Sequence, residues 1–447
     1  MPENLTSLIL TVGTGTQGKY SNLAQGLTNT IQISRPARFW LVPSSSPDSI
    51  AVAELILDGL EPALRDHFQP WSPAQCFLQI ENHDSLEETR TRVTAAIRRA
   101  RAAFPELPIV VNPTSGTKQM SAGATLAALD EIVGGIEFTT GERVDGVVKT
   151  GTETITLFDL GRWRAEKDAA LAAGLWYRNL HAGAAEVLRA ASQHLPAGDS
   201  FRLRLQALAL VADALAHKEA FQFSRAAERF KDARRELRAD SLPPDTPLHR
   251  LGRECDALRR CMERLAKAQG GEKKTDLQNQ LLTEIIDNSL RCAAGGRFDD
   301  AACRLYRAIE MALQIRLAEK TDGDYWNGCL RRDRQPPPQL STSAFLATIR
   351  RSELPHELSM EHLARALHAL GDDAMRPLCD DLDQDKKSAF RAATSSRNAS
   401  ILAHGVTPVD QTGFNVLKTT ASRFLSLAIT ETHPLPQFDP AWLREGY

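Results

Sequence analysis

Near the end of the chain, Ser396-Arg397-Asn398-Ala399-Ser400-Ile401-Leu402-Ala403-His404-Gly405 sets a guanidinium and an imidazole seven residues apart. At about 3.6 residues per turn that is nearly two turns, so the spacing predicts one helix face carrying both side chains. Ala399, Leu402 and Ala403 suit a helix packed on a core, and Gly405 stands where a C-cap is expected. His404 would then lie in the last turn, where the negative helix end favours imidazolium. Such a pair suits a phosphodiester. Arg397 can hold and neutralise phosphate oxygens, while His404 moves protons near neutral pH. Asn398 can orient either group or a phosphate oxygen. Spacing alone does not separate this from an ordinary pair of surface or interface residues.

The run RNASILAH resembles the R-X4-6-H motif of HEPN ribonucleases, including the polar residue that follows the arginine. The segment GRFDDAACRLYRAIE, residues 296–310, resembles the second helix of HEPN domains in CARF-containing proteins. Around it the pattern is helical: Leu277–Cys292, Phe298–Ala318, Met360–Leu370, Lys386–His404 and Gly413–Thr430. Phe298, Ala302, Leu305, Ile309 and Ala312 recur at helical spacing and face a core. Arg307 and Glu310 read as a solvated face or a structural pair, and Arg331–Pro338 as a solvated loop. His356, His362 and His368 lack an arginine at matching spacing, and none is expected to bind metal.

A second group of candidates lies at the other end of the chain. The apolar run Leu8–Val12 is followed at once by Gly13-Thr14-Gly15-Thr16-Gln17-Gly18-Lys19. Read as a P-loop, it lacks the Ser or Thr after the lysine, where Tyr20 stands. Read as a dinucleotide fingerprint, it lacks the later acidic residue, since the second strand ends Val42-Pro43-Ser44-Ser45-Ser46. What survives is a glycine-rich turn that lets backbone donors approach a phosphate or ribose. The other reading is a merely tight strand–helix turn. Asn112-Pro113-Thr114-Ser115-Gly116-Thr117-Lys118-Gln119-Met120-Ser121 is the second such loop, with hydroxyls, a glycine and a lysine at a helix start. Unpaired amides and the helix dipole make that an anion cradle, alongside plain capping by Thr114 or Ser115.

Elements that position these loops follow from periodicity. Strands are expected at Leu8–Val12, Arg38–Val42, Cys76–Ile80, Pro108–Asn112 and Ile136–Thr139, with helices between. One helix, Ser85–Phe104, opens with a Ser85-x-x-Glu88 capping box and carries the stripe Leu86, Val93, Ile97, Ala100. The alternation argues for a parallel, doubly wound α/β sheet in which the loops after the first and fourth strands face one crevice. Gly141–Lys149 reads as a hairpin that closes the sheet, before the alternating Thr154–Leu160.

VGTGTQ and NPTSGTKQM together resemble the CARF domain of CRISPR-associated proteins, over roughly Met1–Trp163. The resemblance implies a Rossmann-like, dimeric domain that binds cyclic oligoadenylate, with cyclic tetraadenylate favoured over hexaadenylate. It also implies that Gly13, Thr14, Gly15, Thr16, Gln17, Thr114, Ser115, Gly116, Thr117 and Lys118 contact the activator. Slow cleavage of the activator in this pocket is a further possibility, although no base is evident there.

Between the two ends, residues 164–275 turn to alanine, leucine and arginine. Helices are expected at Leu171–Ser192, Phe201–His217, Phe221–Arg238 and His249–Gln269, broken at Leu195–Gly198 and Pro243–Pro247. Phe223, Ala226, Ala227 and Phe230 form a core stripe, and Gly270–Lys274 reads as a flexible boundary.

Bulk properties narrow the function classes. The chain has 447 residues, with 54 basic against 56 acidic, so no global basic field advertises nucleic-acid binding and RNA contact must be local. Seven scattered cysteines, with no C-x2-C pair, suggest neither zinc nor a disulfide framework. No signal segment or membrane span is apparent, and a cytoplasmic protein is expected. The combined expectation is α/β plus all-α: a CARF domain (1–163), a helical linker (164–275) and a HEPN domain (276–447). By resemblance it is a homodimeric type III CRISPR ancillary ribonuclease in antiviral defence. It would cleave single-stranded RNA without metal or stable DNA binding, and leave 2',3'-cyclic phosphate and 5'-OH ends. Arg397, Asn398 and His404 of two copies would form one composite site. The rivals are a non-catalytic ligand-sensing scaffold and an ATP-dependent enzyme that uses Gly13–Lys19.

Overall fold

The structure, a computed structural model, describes residues 5–14, 20–144, 147–149, 151–238, 242–244, 246–271, 274–400, 402, 405–425 and 435–443. The chain forms two compact units, Met1–Lys167 and Asp168–Tyr447.

The first unit contains β1 (Ser7–Val12), α1 (Tyr20–Ser34), β2 (Arg38–Pro43), α2 (Pro47–Gly59), α3 (Pro62–Arg65) and α4 (Leu86–Ala103). After these come β3 (Ile109–Asn112), α5 (Lys118–Asp130), β4 (Gly135–Thr140), the ribbon β5 (Arg143–Val144) and β6 (Val147–Val148), and β7 (Thr154–Asp159). The main sheet runs β2-β1-β3-β4-β7, with the first four strands parallel and β7 antiparallel to β4. β1 and β3 are buried along their whole length, as strands covered on both faces must be. Leu8, Leu10 and Leu41 pack toward α1 and α2, whereas Ile9, Trp40 and Val111 pack toward α4 and α5. The expected doubly wound sheet is present.

Three local expectations are corrected. Cys76–Ile80 forms no strand: Ile80 makes an isolated bridge to Ser44, and Phe77, Leu78 and Ile80 bury their side chains from a loop. The second phosphate-type loop therefore follows the third strand rather than the fourth. In α4, Ser85 does accept from the Glu88 amide, but the Glu88 carboxylate accepts from the Glu81 and Asn82 amides, so the box is not reciprocal. Leu86 is 37% exposed, and the buried stripe is Thr89, Val93, Ala96, Ile97 and Ala100.

From the sheet, α6 (Leu160–Tyr177) runs directly out of β7. Asn179, at φ 58°, breaks the helix that was expected over 171–192 and starts α7 (His181–Gln193). Then follow α8 (Ser200–Glu219), α9 (Phe223–Leu237), α10 (Pro247–Gln269), α11 (Thr275–Ala294) and α12 (Phe298–Lys320). The remaining elements are β8 (Tyr325–Trp326), β9 (Cys329–Leu330), α13 (Ser343–Thr348), α14 (Met360–Ala369), α15 (Arg376–Leu382), α16 (Ala389–Asn398) and α17 (Gln411–Leu425). α12 is the centre of this unit's core: Leu305, Ile309 and Leu313 belong to one buried cluster with Leu363, Leu367, Phe390, Leu417 and Phe424.

Middle and C-terminal helices share one compact unit. Lys218 on α8 pairs with Glu284 on α11, and Arg291 bonds Glu219 and Glu284, each at 2.7 Å. Lys218 and Arg291 are almost wholly buried. At the far end of α6, the indole nitrogen of Trp176 donates to the Pro436 carbonyl at 2.7 Å.

Candidate functional site

The start of α16 is pinned by the Asp381 carboxylate, which accepts from the Ser388 hydroxyl (2.6 Å) and from the Ala389 and Phe390 amides (3.1 and 3.0 Å). Burial alone would raise the Asp381 pKa, but these hydrogen bonds outweigh it and hold the carboxyl below its usual range. Ser388 then caps the helix by accepting from the Arg391 amide. Phe390 and Ala393 bury the inner face of α16.

Two arginines leave this helix with different fates. Arg391 grips both oxygens of Glu361 (2.8 and 2.7 Å) and reaches Asp385 at 2.7 Å. Nearly two turns later, the Arg397 guanidinium carbon sits 4.4 Å from the ring centroid of Tyr306 on α12. One Arg397 Nη donates to Asn398 Oδ1 at 3.1 Å, and its Nε is buried with no acceptor. Among the described residues no carboxylate pairs with Arg397. The two acids whose charges act on Tyr306 are already held: Glu361 by Arg391, and Glu310 by Arg307 at 2.8 Å. Burial raises the Tyr306 phenol pKa; the Arg397 charge opposes this, and Glu310 and Glu361 add to it. Arg307 and Glu310 are thus the structural pair that their spacing suggested.

The helix does not run on to His404. It ends at Asn398, with Ala399 as the C-cap. Thr394 and Ser395 turn their hydroxyls back onto carbonyls of the preceding turn, and this Ser- and Asn-rich stretch has low helix propensity. Beyond it the chain folds back: the Gly405 amide donates to the Ser400 carbonyl and the Thr407 amide to the Ala399 carbonyl, both at 3.0 Å. A β-carbon on Gly405 would collide with the Ala399 carbonyl. Gly405 therefore closes a tight loop on the helix end rather than capping a longer helix. Leu402, expected in the core, is 54% exposed. Ile401, Ala403 and His404 lie outside the described residues.

In the N-terminal unit the sheet order places β1 beside β3, which is the topological switch point where open α/β sheets bind ligands. The loops after these two strands touch. Ser115 Oγ accepts from the Gly13 amide at 3.0 Å, and Thr11 Oγ1 donates to the Ser115 carbonyl at 2.6 Å. A β-carbon on Gly13 would stand 2.6 Å from the Gly116 Cα, so only glycine permits this approach. Thr114 Oγ1 accepts from the Thr139 amide at 2.9 Å. Thr117 caps α5 by accepting from the Met120 amide, and donates to the His83 carbonyl at 2.6 Å. The cap is Thr117, not Thr114 or Ser115, whose hydroxyls hold the loop from within. Lys118 is the first helical residue and is exposed; Thr14 is half-buried at the loop edge. Gly15, Thr16, Gln17, Gly18 and Lys19 lie outside the described residues.

Residues 271–428 match the family model of the Csm6 HEPN domain. The fold of the chain is similar to a solved structure titled Enterococcus italicus Csm6 bound to cyclic hexa-2'-fluoro-hexa-dAMP. That likeness has a TM-score of 0.56 at 11% identity and covers 95% of this chain and 94% of the other. No curated protein sequence matches. The family match places a Csm6-type HEPN domain over residues 271–428, and the likeness to the solved structure shows the fold.

Sequence reasoning does not single out Tyr306, Glu361 or Arg391. Tyr306 lies between Leu305 and Arg307, just outside the apolar stripe of α12, and an aromatic at such a border was its one signal. Glu361 and Arg391 are 30 positions apart, and no periodicity joins them. Among the described residues, no group of three or more His, Cys, Asp or Glu side chains could hold a metal, and no helix is long and apolar enough to cross a membrane.

Proposed function

We propose that this protein is a metal-independent endoribonuclease of type III CRISPR defence, switched on by cyclic oligoadenylate and acting on single-stranded RNA in the cytoplasm. One observation carries the reading: within residues matched to a Csm6 HEPN domain, Arg397 meets no carboxylate among the described residues. An arginine without a carboxylate partner is available to an anion, and in RNA the anion is the phosphodiester.

RNA supplies its own nucleophile. The 2'-OH attacks the adjacent phosphorus, the bond to the 5'-oxygen breaks, and a 2',3'-cyclic phosphate and a 5'-OH remain. Arg397 stabilises charge on the phosphorane oxygens, Asn398 orients Arg397 or an oxygen, and His404 transfers the proton between the entering and leaving oxygens. In a homodimer, two such sets form one composite site. Cyclic oligoadenylate binds at the β1/β3 switch point, with contacts from Gly13, Thr14, Gly15, Thr16, Gln17 and Thr114–Lys118. It activates by favouring the dimer geometry in which the composite site is aligned. Cyclic tetraadenylate is the first activator to try, and the hexameric ring bound by the Enterococcus italicus protein makes cyclic hexaadenylate the second.

The test is cleavage of a fluorescent RNA in EDTA, with each ring added separately, for wild type, His404→Ala and Arg397→Ala. Activator-dependent cleavage that falls roughly 100- to 1000-fold in either variant supports the assignment. Absence of cleavage with both rings points to a sensing scaffold instead. Magnesium-dependent ATP hydrolysis lost in Lys19→Ala but kept in His404→Ala points to the P-loop reading.

A further inference from the structure

Resting on the nuclease reading, we infer that Tyr306 is a positioning residue for Arg397: its ring face is the platform that holds the guanidinium ready for phosphate. Four observations converge. The guanidinium carbon lies 4.4 Å from the ring centroid, which is close for a cation over an aromatic face. Arg397 sits in the last turn of α16, beyond the residues that bury this helix, so the helix backbone alone leaves its long side chain loose. Its lateral hydrogen bond is to the neighbouring Asn398, which cannot by itself fix the plane of the group. Glu310 and Glu361, the acids whose charges act on the Tyr306 ring, are held by Arg307 and Arg391.

A ring face and a carboxylate hold arginine in different ways. A carboxylate would occupy the N–H edges and neutralise the charge. The ring meets the guanidinium without consuming its N–H donors, so the Nη donors not engaged by Asn398 remain for an incoming anion. Tyr306 is itself half-buried on α12, the central helix of the core, so the platform is rigid. Stacking thus lowers the entropy lost on phosphate binding without consuming the charge that the transition state needs.

The experiment compares Tyr306→Phe, Tyr306→Leu and Tyr306→Met in the activated full-length protein, with thermal melts to establish that each is folded. Phe keeps the ring face and should retain kcat within about twofold. Leu and Met remove the face and should lower kcat by about 5- to 30-fold, the range expected for a partly desolvated cation–π contact, with little change in KM. The Arg397 Nε–Hε resonance provides a readout that does not need activity. It should show an upfield ring-current shift in wild type and Phe, and lose it in Leu and Met. Equal losses of kcat in Phe and Leu would assign the effect to the hydroxyl and overturn the platform. Full activity in Leu or Met despite a moved resonance would overturn it too. If wild type cleaves no RNA, the nuclease reading falls and the catalytic part of this inference with it, while the resonance still reports whether the stack forms.

Discussion

Arg291 and Arg397 are the same residue type in one structural unit, put to opposite uses. Arg291 is almost wholly buried between α8 and α11 and meets Glu219 and Glu284 at 2.7 Å. Burial would lower its pKa, yet the two carboxylates raise it further than burial lowers it, so the cation is locked in place. Arg397 is half-buried and faces an aromatic ring in place of an acid. Charge that is matched inside the protein is architecture. Charge left unmatched is available to a ligand.

The largest test of this contrast is a pair of substitutions. Arg291→Met leaves the Glu219 and Glu284 carboxylates with Lys218 as the remaining cation and the Asn288 amide on Glu219, and should cost about 3–5 kcal/mol of stability in a denaturant melt. Arg397→Met should change stability by less than about 1 kcal/mol while removing activity. Similar losses from the two would erase the distinction.

His181 gives the next effect, and it depends on pH. The ring is buried against Trp176 with both nitrogens lacking a partner among the described residues, and burial, aided by the Arg291 and Lys218 charges, pushes its pKa down from 6.5 to about 4. The unfolded chain therefore binds a proton at a pH where the folded one does not. Stability is complete above about pH 6.5 and falls progressively toward pH 4, by about 3 kcal/mol from this group. His181→Phe should flatten that slope in melts taken across the window. An unchanged slope would mean that this ring is not what makes the paired region acid-sensitive.

Arg391→Gln should have the smallest effect, about 0.2–1 kcal/mol, because its pair with Glu361 is partly open to solvent. A loss as large as that of Arg291 would place α16 among the load-carrying ion pairs and weaken the contrast between the regions.

Legibility in the sequence varied with the range of the interaction concerned. Leu8–Val12 and Pro108–Asn112 were readable as strands because both faces of a parallel strand are apolar. The stripe of α12 was readable because 3.6-residue periodicity is local. Cys76–Ile80 looked equally strand-like, yet it is an apolar loop: the outer edge of β2 at Phe39 is taken by His67 and Gln69, and the segment meets the sheet at the Ser44–Ile80 bridge. The helix expected through His404 ended at Asn398 because serine and asparagine side chains compete for the backbone there, and Gly405 closes a loop rather than a cap.

By itself, the order of residues determined the classes of structure and the chemistry present: an α/β sheet followed by helices, two loops fit to approach phosphate, and an arginine followed by asparagine near the end. Only the tertiary structure decided that β1 and β3 lie side by side so that Gly13 meets Gly116, and that Arg391 is consumed while Arg397 is spared. The physical reason is that pairing depends on distance in space. Glu361, Tyr306 and Arg397 are remote in the chain, and no local propensity records which charge will find a partner.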